Sequence, residues 1–255
     1  MRRLELIGLE GVPEVLPGTD LAAMIHDAAE RSAGGLRDGD IVAVAQKVIS
    51  KAEDRYVVLD DVQPSARAIR IATQCAKDPR QVEVVLSEAS EVVRHRPGVL
   101  IVRHRLGHVL ANAGIDASNV PRDAQGRERV LLLPVDPDGS AAKLRHQLEQ
   151  RAGVELAVVI NDSPGRAWRV GSAGIAIGVA GLPAMQDLRG QIDRDGRELQ
   201  ASELGVADEI AAAASIIMGQ GAEGVPVVVV RGMVFAGRHG TADELVRHPL
   251  MDLFR

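Results

Sequence analysis

Apolar positions in this chain fall into blocks whose spacing separates helices from strands. Leu21, Ile25 and Ala28 recur on one face of a 3.6-residue period, which predicts a helix capped by Thr19 and stopped at Gly34-Gly35. Ile41-Val42-Ala43-Val44-Ala45 is a short unbroken apolar run and reads as a buried strand, while residues 46–52 fit either a strand or a turn of helix. Residues 64–77 read as a helix with Pro64 near its start and Asp78-Pro79 past its end. Residues 82–86 read as a strand, and residues 98–105 and 106–113 as two arms of a hairpin near Gly107. Further on come a short strand at 130–134, a helix from a Ser140 cap through Gln150, and Gly153 as its stop. The apolar run Val154 to Ile160 predicts a buried strand opening onto the turn Asn161-Asp162-Ser163-Pro164-Gly165-Arg166. Residues 174–181 are a tight strand or turn, 207–218 an Ala-rich helix with Ile210, Ala214 and Ile217 on one stripe, and 226–231 a last buried strand.

Strands and helices do not alternate regularly, so the pattern predicts an α+β fold of mixed, largely antiparallel sheets with flanking helices. No linker or repeat divides the chain. The expectation is one unit over residues 1–255, built as two interleaved lobes.

Composition narrows the picture. A chain of 255 residues can bury a full core. With aromatic residues at 2%, that core must come from Val, Ile, Leu and Ala, and a base-stacking surface for nucleic acid is disfavoured. The net charge of −5 gives no broad attraction to nucleic acid or an anionic membrane. Any phosphate-bearing ligand must be held locally. Cys75, the single cysteine, cannot form an intrachain disulfide; it reads as a core thiol and fits a reducing compartment. The first residues lack a signal-peptide core and no apolar run spans a bilayer, which predicts a cytoplasmic protein without membrane contact.

Four segments offer chemistry. Asp162 and Ser163 present oxygen ligands for a hard cation, and Arg166 and Arg169 present forked donors for phosphate or carboxylate. The same residues also make an ordinary Asp-capped turn. Asp116 and Asn119, after Ala113-Gly114-Ile115, form a second polar cluster at the end of an apolar stretch, equally compatible with a simple turn. Residues 217–224 (Ile217, Met218, Gly219, Gln220, Gly221, Ala222, Glu223, Gly224) have the glycines of a phosphate loop but follow a helix, whose C-terminal end favours cations over phosphate. The loop Gly11-Val12-Pro13-Glu14 can present backbone amides, with Gln46 and Lys51 as polar neighbours. His104 and His108 have the spacing of a zinc pair, but Gly107 breaks the helix such a pair requires, so all seven histidines read as structural or exposed.

Taken in order, Gly11 to Gly18, Asp38 to Glu53, Ala113 to Asn119, Leu133 to Asp138, Asp162 to Arg169 and Val206 to Glu209 resemble the coenzyme F420-0:L-glutamate ligase family, also called gamma-glutamyl ligase. The resemblance covers nearly the whole chain, in the form without a C-terminal nitroreductase-like domain. It implies an α+β fold of unusual topology, a homodimer, and an amide ligase that uses GTP and Mg²⁺ or Mn²⁺, with K⁺ as a further ion. Such an enzyme adds L-glutamate to F420-0 through an acyl-phosphate and then adds gamma-linked glutamates. By position, the resemblance makes Asp116 and Asp162 the catalytic metal ligands, with Ser163 (in place of a threonine) and Gln220 completing the metal sites. It assigns Val12, Pro13, Glu14, Val15, Gln46, Lys51, Asn119 and residues 217–224 to GTP. Two other readings remain: a related ligase acting on another carboxylate, and a GTP- and metal-binding module without catalysis.

Overall fold

A computed structural model describes residues 3–118, 120–234 and 238–253. In chain order its elements are β1 (Glu5–Gly8), α1 (Leu21–Ala33), β2 (Ile41–Ala45), α2 (Gln46–Ala52), β3 (Tyr56–Val58), α3 (Ala66–Cys75), α4 (Pro79–Ser87), β4 (Ala89–Arg96), β5 (Val99–His104), β6 (Val109–Ala111), β7 (Arg129–Leu131), α5 (Pro137–Ala152), β8 (Ala157–Asp162), β9 (Gly165–Arg166), β10 (Arg169–Ser172), β11 (Ile175–Ala180), β12 (Gln186–Asp187), β13 (Glu203–Leu204), α6 (Val206–Met218) and β14 (Val227–Arg231).

The centre is a five-stranded sheet in the order β1-β14-β2-β8-β11. All its neighbours are antiparallel except β2 and β8, which run parallel. Alternation within each strand serves two buried faces. Val42, Val44, Val158, Ile160, Val227 and Val229 pack against α1 and α5, while Ile41, Ala43, Val159, Val228 and Val230 pack against α6. In β11 the register shifts between Ala176 and Gly178, which puts Ala176 and Val179 on one face and Ile177 on the other. The Ala-rich side of α6 (Ala207, Ala211, Ala214) lets that helix lie close to the sheet.

The residues between α2 and α5 form a second assembly. Strands β4-β5-β6 make an antiparallel sheet covered by α3 and α4, with Ala68, Ala72, Cys75, Val82, Val85, Leu100 and Val102 buried between them. A two-stranded β3-β7 ribbon supplies Val130, which packs with Leu59, Leu132 and Val84 of α4. The α+β expectation therefore holds, and Cys75 is a buried thiol whose ionisation burial pushes up. None of the described helices is long and apolar enough to cross a membrane.

Several local readings need correction. Residues 82–86 are helix rather than strand: Asp78 accepts from the Arg80 N–H, Pro79 opens α4, and Val82 and Val85 face the same core. A β-branched run looks extended when read without the cap before it. Helix α1 is capped by Asp20, which accepts from Ala23 N, while Thr19 Oγ1 bonds Leu16. Helix α5 is capped by Asp136 with Pro137 in its first turn, so Ser140 lies inside the helix. Residues 46–52 are helical, and the strand from Val154 starts at Ala157 and continues through Asp162. Strands β1 and β4 carry no alternation strong enough to have marked them.

Candidate active site

The parallel pair β2 and β8 places two chain segments side by side. Their last register pair is Ala45 with Asn161, so Gln46-Lys47 and Asp162-Ser163 leave the same edge of the sheet together. In open sheets the carboxyl ends of adjacent parallel strands are where ligands are held. Here they open into a cavity of about 520 Å³.

A third segment reaches the cavity from the second assembly. Asn112, Ala113 and Gly114 all have left-handed backbones, with φ of 52°, 54° and 66°. This tight reversal ends β6 and turns the chain toward Leu131, with which Asp116 exchanges two backbone hydrogen bonds. A Cβ on Gly114 would lie 2.9 Å from Leu133 Cδ1, so the reversal requires glycine for space as well as for φ. The fourth segment is the C-terminal end of α6. Asn161 Nδ2 donates to Ser215 Oγ at 2.9 Å and Ser163 Oγ donates to Gln220 Oε1 at 2.9 Å, which fastens the helix end to β8. Gly174 passes so close to Ser215, the Ala211 carbonyl and Asn161 that no side chain fits there.

Charge in the cavity is unbalanced. Lys47 Nζ is 2.8 Å from Asp116 Oδ2, and Ser118 gives Asp116 Oδ1 both its N–H and its hydroxyl. Burial opposes ionisation of Asp116, but Lys47 and Ser118 prevail and hold its pKa below the usual carboxylate value. Among the described residues, Asp162 has only the Ser163 N–H, at 2.8 Å, as a direct donor. Burial and the nearby Asp116 charge push its pKa up to about 6, against the weaker pull of Ser163, Lys47 and His104. Asn161 Oδ1 is buried in the same wall without a hydrogen-bond partner among the described residues.

The donor set suits a hard divalent cation. Two carboxylates, a hydroxyl and an amide oxygen favour Mg²⁺ or Mn²⁺, and the set contains no thiolate or imidazole. No group of three or more His, Cys, Asp or Glu suited to metal occurs among the described residues. Two carboxylates completed by ligand oxygens and water are the usual share of protein ligands for Mg²⁺.

The structure brings Asp116, Asp162, Ser163, Gln220, Val12, Pro13, Glu14, Gln46, Met218, Gly219, Gly221 and Gly224 to this cavity. Other residues assigned by resemblance sit elsewhere. Val15 is buried in the core beneath α1, and Ile217 packs toward Gly8 at the far side of its helix. Ala222 lies outside the lining, and Glu223 folds back to accept from Gly221 N. Lys51 is one helical turn beyond Lys47 and also lies outside the lining. Asn119 falls outside the described residues. Lys47 and Asn161 are not singled out by the sequence pattern. The available signal was position: each lies at the junction where one of the two parallel strands ends.

These features define a class: an α+β protein whose central sheet opens an acidic, oxygen-rich cavity at the carboxyl ends of the one parallel pair among its described strands. Comparison with known proteins makes this particular. A family model described as F420-0:Gamma-glutamyl ligase matches residues 11–232. The Coenzyme F420:L-glutamate ligase of Methanothermobacter thermautotrophicus is 43% identical over 254 residues, covering 99% of both chains. The protein of that name from Haloarcula marismortui is 43% identical over 99% of this chain and 96% of its own. The one from Archaeoglobus fulgidus is 43% identical over 99% and 97%. The chain belongs to the F420-0:gamma-glutamyl ligase family.

Proposed function

We propose that this protein joins L-glutamate to the terminal carboxylate of coenzyme F420-0 through an amide bond and then adds further glutamates by gamma linkage, using GTP with Mg²⁺ or Mn²⁺. Relatives named Coenzyme F420:L-glutamate ligase align over nearly the whole chain. The observation that carries the reading is the meeting of Asp116 and Asp162, distant in sequence, in one cavity where Lys47 pairs with Asp116.

An acceptor carboxylate oxygen attacks the γ-phosphorus of GTP, the bond to the β-phosphate oxygen breaks, and GDP leaves. The glutamate amine then attacks the carbonyl of the acyl-phosphate, the carbon–oxygen bond to phosphate breaks, and phosphate leaves as the amine gives up its proton. A cation held by Asp116, Asp162, Ser163 and Gln220 would neutralise the phosphates during transfer. Lys47 holds Asp116 ionised and in place, and adds a positive charge on the phosphate side. The Ser163–Gln220 bond keeps two oxygen donors adjacent. Val12-Pro13-Glu14 and Gly219-Gln220-Gly221, which line the cavity, would flank the nucleotide.

The test mixes purified protein with F420-0, L-glutamate, GTP and Mn²⁺ and follows products by mass. Added glutamate with matching GDP and phosphate is expected, and no gain of glutamate overturns the reading.

A further inference from the structure

The segment that leaves the active site after Ser163 is a short hairpin, β9 and β10, joined by Ala167-Trp168. Pro164 and Gly165 still line the cavity, so the hairpin starts at the site and projects from its mouth. Three features of it run against folding. Trp168, the only tryptophan in the chain, is 83% exposed, and Val170 beside it is fully exposed. Trp168 has φ of 63°, a backbone region that favours glycine or asparagine over a large side chain. Arg166 and Arg169 are direct cross-strand partners, which sets like charges against each other. Neither arginine forms an ion pair with a carboxylate among the described residues, and both are exposed.

Two of these costs, the exposed apolar surface and the paired like charges, are offset when a flat, apolar ring bearing an anion lies along the hairpin, and the backbone strain is the kind that persists at ligand-holding positions. An indole face stacks on such a ring, and two guanidinium groups suit a phosphate. We infer that the β9–β10 hairpin is the docking arm for the acceptor, with Trp168 stacking on its deazaflavin ring and Arg166 and Arg169 binding its phosphodiester. This rests on the function proposed above. In F420-0 the reacting carboxylate comes first, the phosphodiester next and the ring last. The protein offers matching groups in the same order: Ser163 at the cavity, the arginine pair beyond Gly165, and Trp168 at the tip. The span from Gly165 to the tip is about 10 Å of extended chain, enough to keep the ring outside the cavity while the carboxylate lies within.

Trp168 supplies its own probe, since no other tryptophan contributes fluorescence. Titration of the wild-type chain with F420-0 alone should quench this emission saturably, with free tryptophan amide correcting for absorbance, while GTP alone should not. Trp168→Ala should raise KM for F420-0 about tenfold, with kcat and KM for GTP within about twofold of wild type. Trp168→Phe should recover most of the loss, and the double variant R166Q/R169Q should raise the same KM. An unchanged KM for F420-0 in an active Trp168→Ala protein overturns the inference, as does a rise confined to KM for GTP. A water-shielded Trp168 emission before any ligand, with Trp168→Ala sedimenting as monomer where wild type is dimeric, assigns the hairpin to a second copy of the chain and overturns it too. A wild-type chain that adds no glutamate defeats the proposed function instead, and quenching by F420-0 is still readable in that case.

Discussion

Two carboxylate sites on either side of the β5–β6 hairpin are handled in opposite ways. Glu88, at the end of α4, is beset by positive and polar groups. His104 Nε2 approaches it at 3.4 Å without hydrogen-bond alignment, Arg105 Nε donates at 3.2 Å, and Arg55 Nη2 reaches both carboxylate oxygens at 3.3 and 3.4 Å. His104, Arg105 and Arg55 together outweigh burial and bring its pKa down to about 2. Asp162 is pushed up to about 6 by burial and by the nearby Asp116 charge, while the cavity's lysine, Lys47, is paired with Asp116. The first cluster is complete as folded and braces α4 against β5 and the chain near Pro134. The second is short of positive charge, which is the condition that a bound cation and its ligands correct. Net satisfaction of charge, more than burial, thus sets the Glu88 cluster apart from the cavity carboxylates.

Substitutions can break this contrast. The largest expected effect is on turnover: Asp162→Asn should lower kcat/KM about a thousandfold or more in a glutamate-addition assay. The same change should raise the melting temperature without ligand at pH 8. Because the folded pKa of Asp162 lies above its ordinary value of 3.8, the native state binds the extra proton, and stability declines as pH rises from about 4 to about 6. Above that window the ionised group costs on the order of 1–3 kcal/mol, which the amide removes. Loss of thermal stability parallel to the loss of activity would make Asp162 a folding residue.

Glu88→Gln should do the reverse. Its depressed pKa means that its contribution is full above pH 4.5 and is lost as pH falls toward 2. At pH 7 the change should remove about 3 kcal/mol of unfolding free energy in urea melts, with kcat within about threefold of wild type at low temperature. A kcat collapse in a folded Glu88→Gln protein would tie the two clusters together. Lys47→Gln, which strips the site of its lysine, should lower kcat/KM about tenfold to a hundredfold. Mn²⁺ should raise the wild-type melting temperature by an amount that grows with its concentration, and should do so far less for Asp162→Asn. The smallest effect is expected for Lys51→Ala, with KM for GTP changed less than about twofold, since Lys51 lies outside the cavity.

Much of this was readable from local pattern. The buried strands β2, β8 and β14 and the helices α1, α5 and α6 are written in runs and periodicities that a few neighbouring residues determine. Errors arose where two local signals competed. Val82 to Leu86 has strand composition, yet the Asp78-Pro79 start makes it helix. Thr19 and Ser140 are good capping residues beside better-placed Asp20 and Asp136. At the site, the acidic turns at Asp116 and Asp162 stood out as oxygen donors, and the resemblance gave them roles.

By itself, then, the sequence determined the apolar segments, the α+β class, the absence of disulfides and the residue types capable of holding a hard cation. Only the tertiary structure decided that Asp116 and Asp162 share a cavity, that Lys47 rather than Lys51 faces them, and that Trp168 stands exposed on the arm leading out. The reason is one of range. Periodicity and capping act over a few residues, whereas the site depends on the parallel register of β2 with β8 and on the Asp116–Leu131 bridge, pairings that no local pattern encodes.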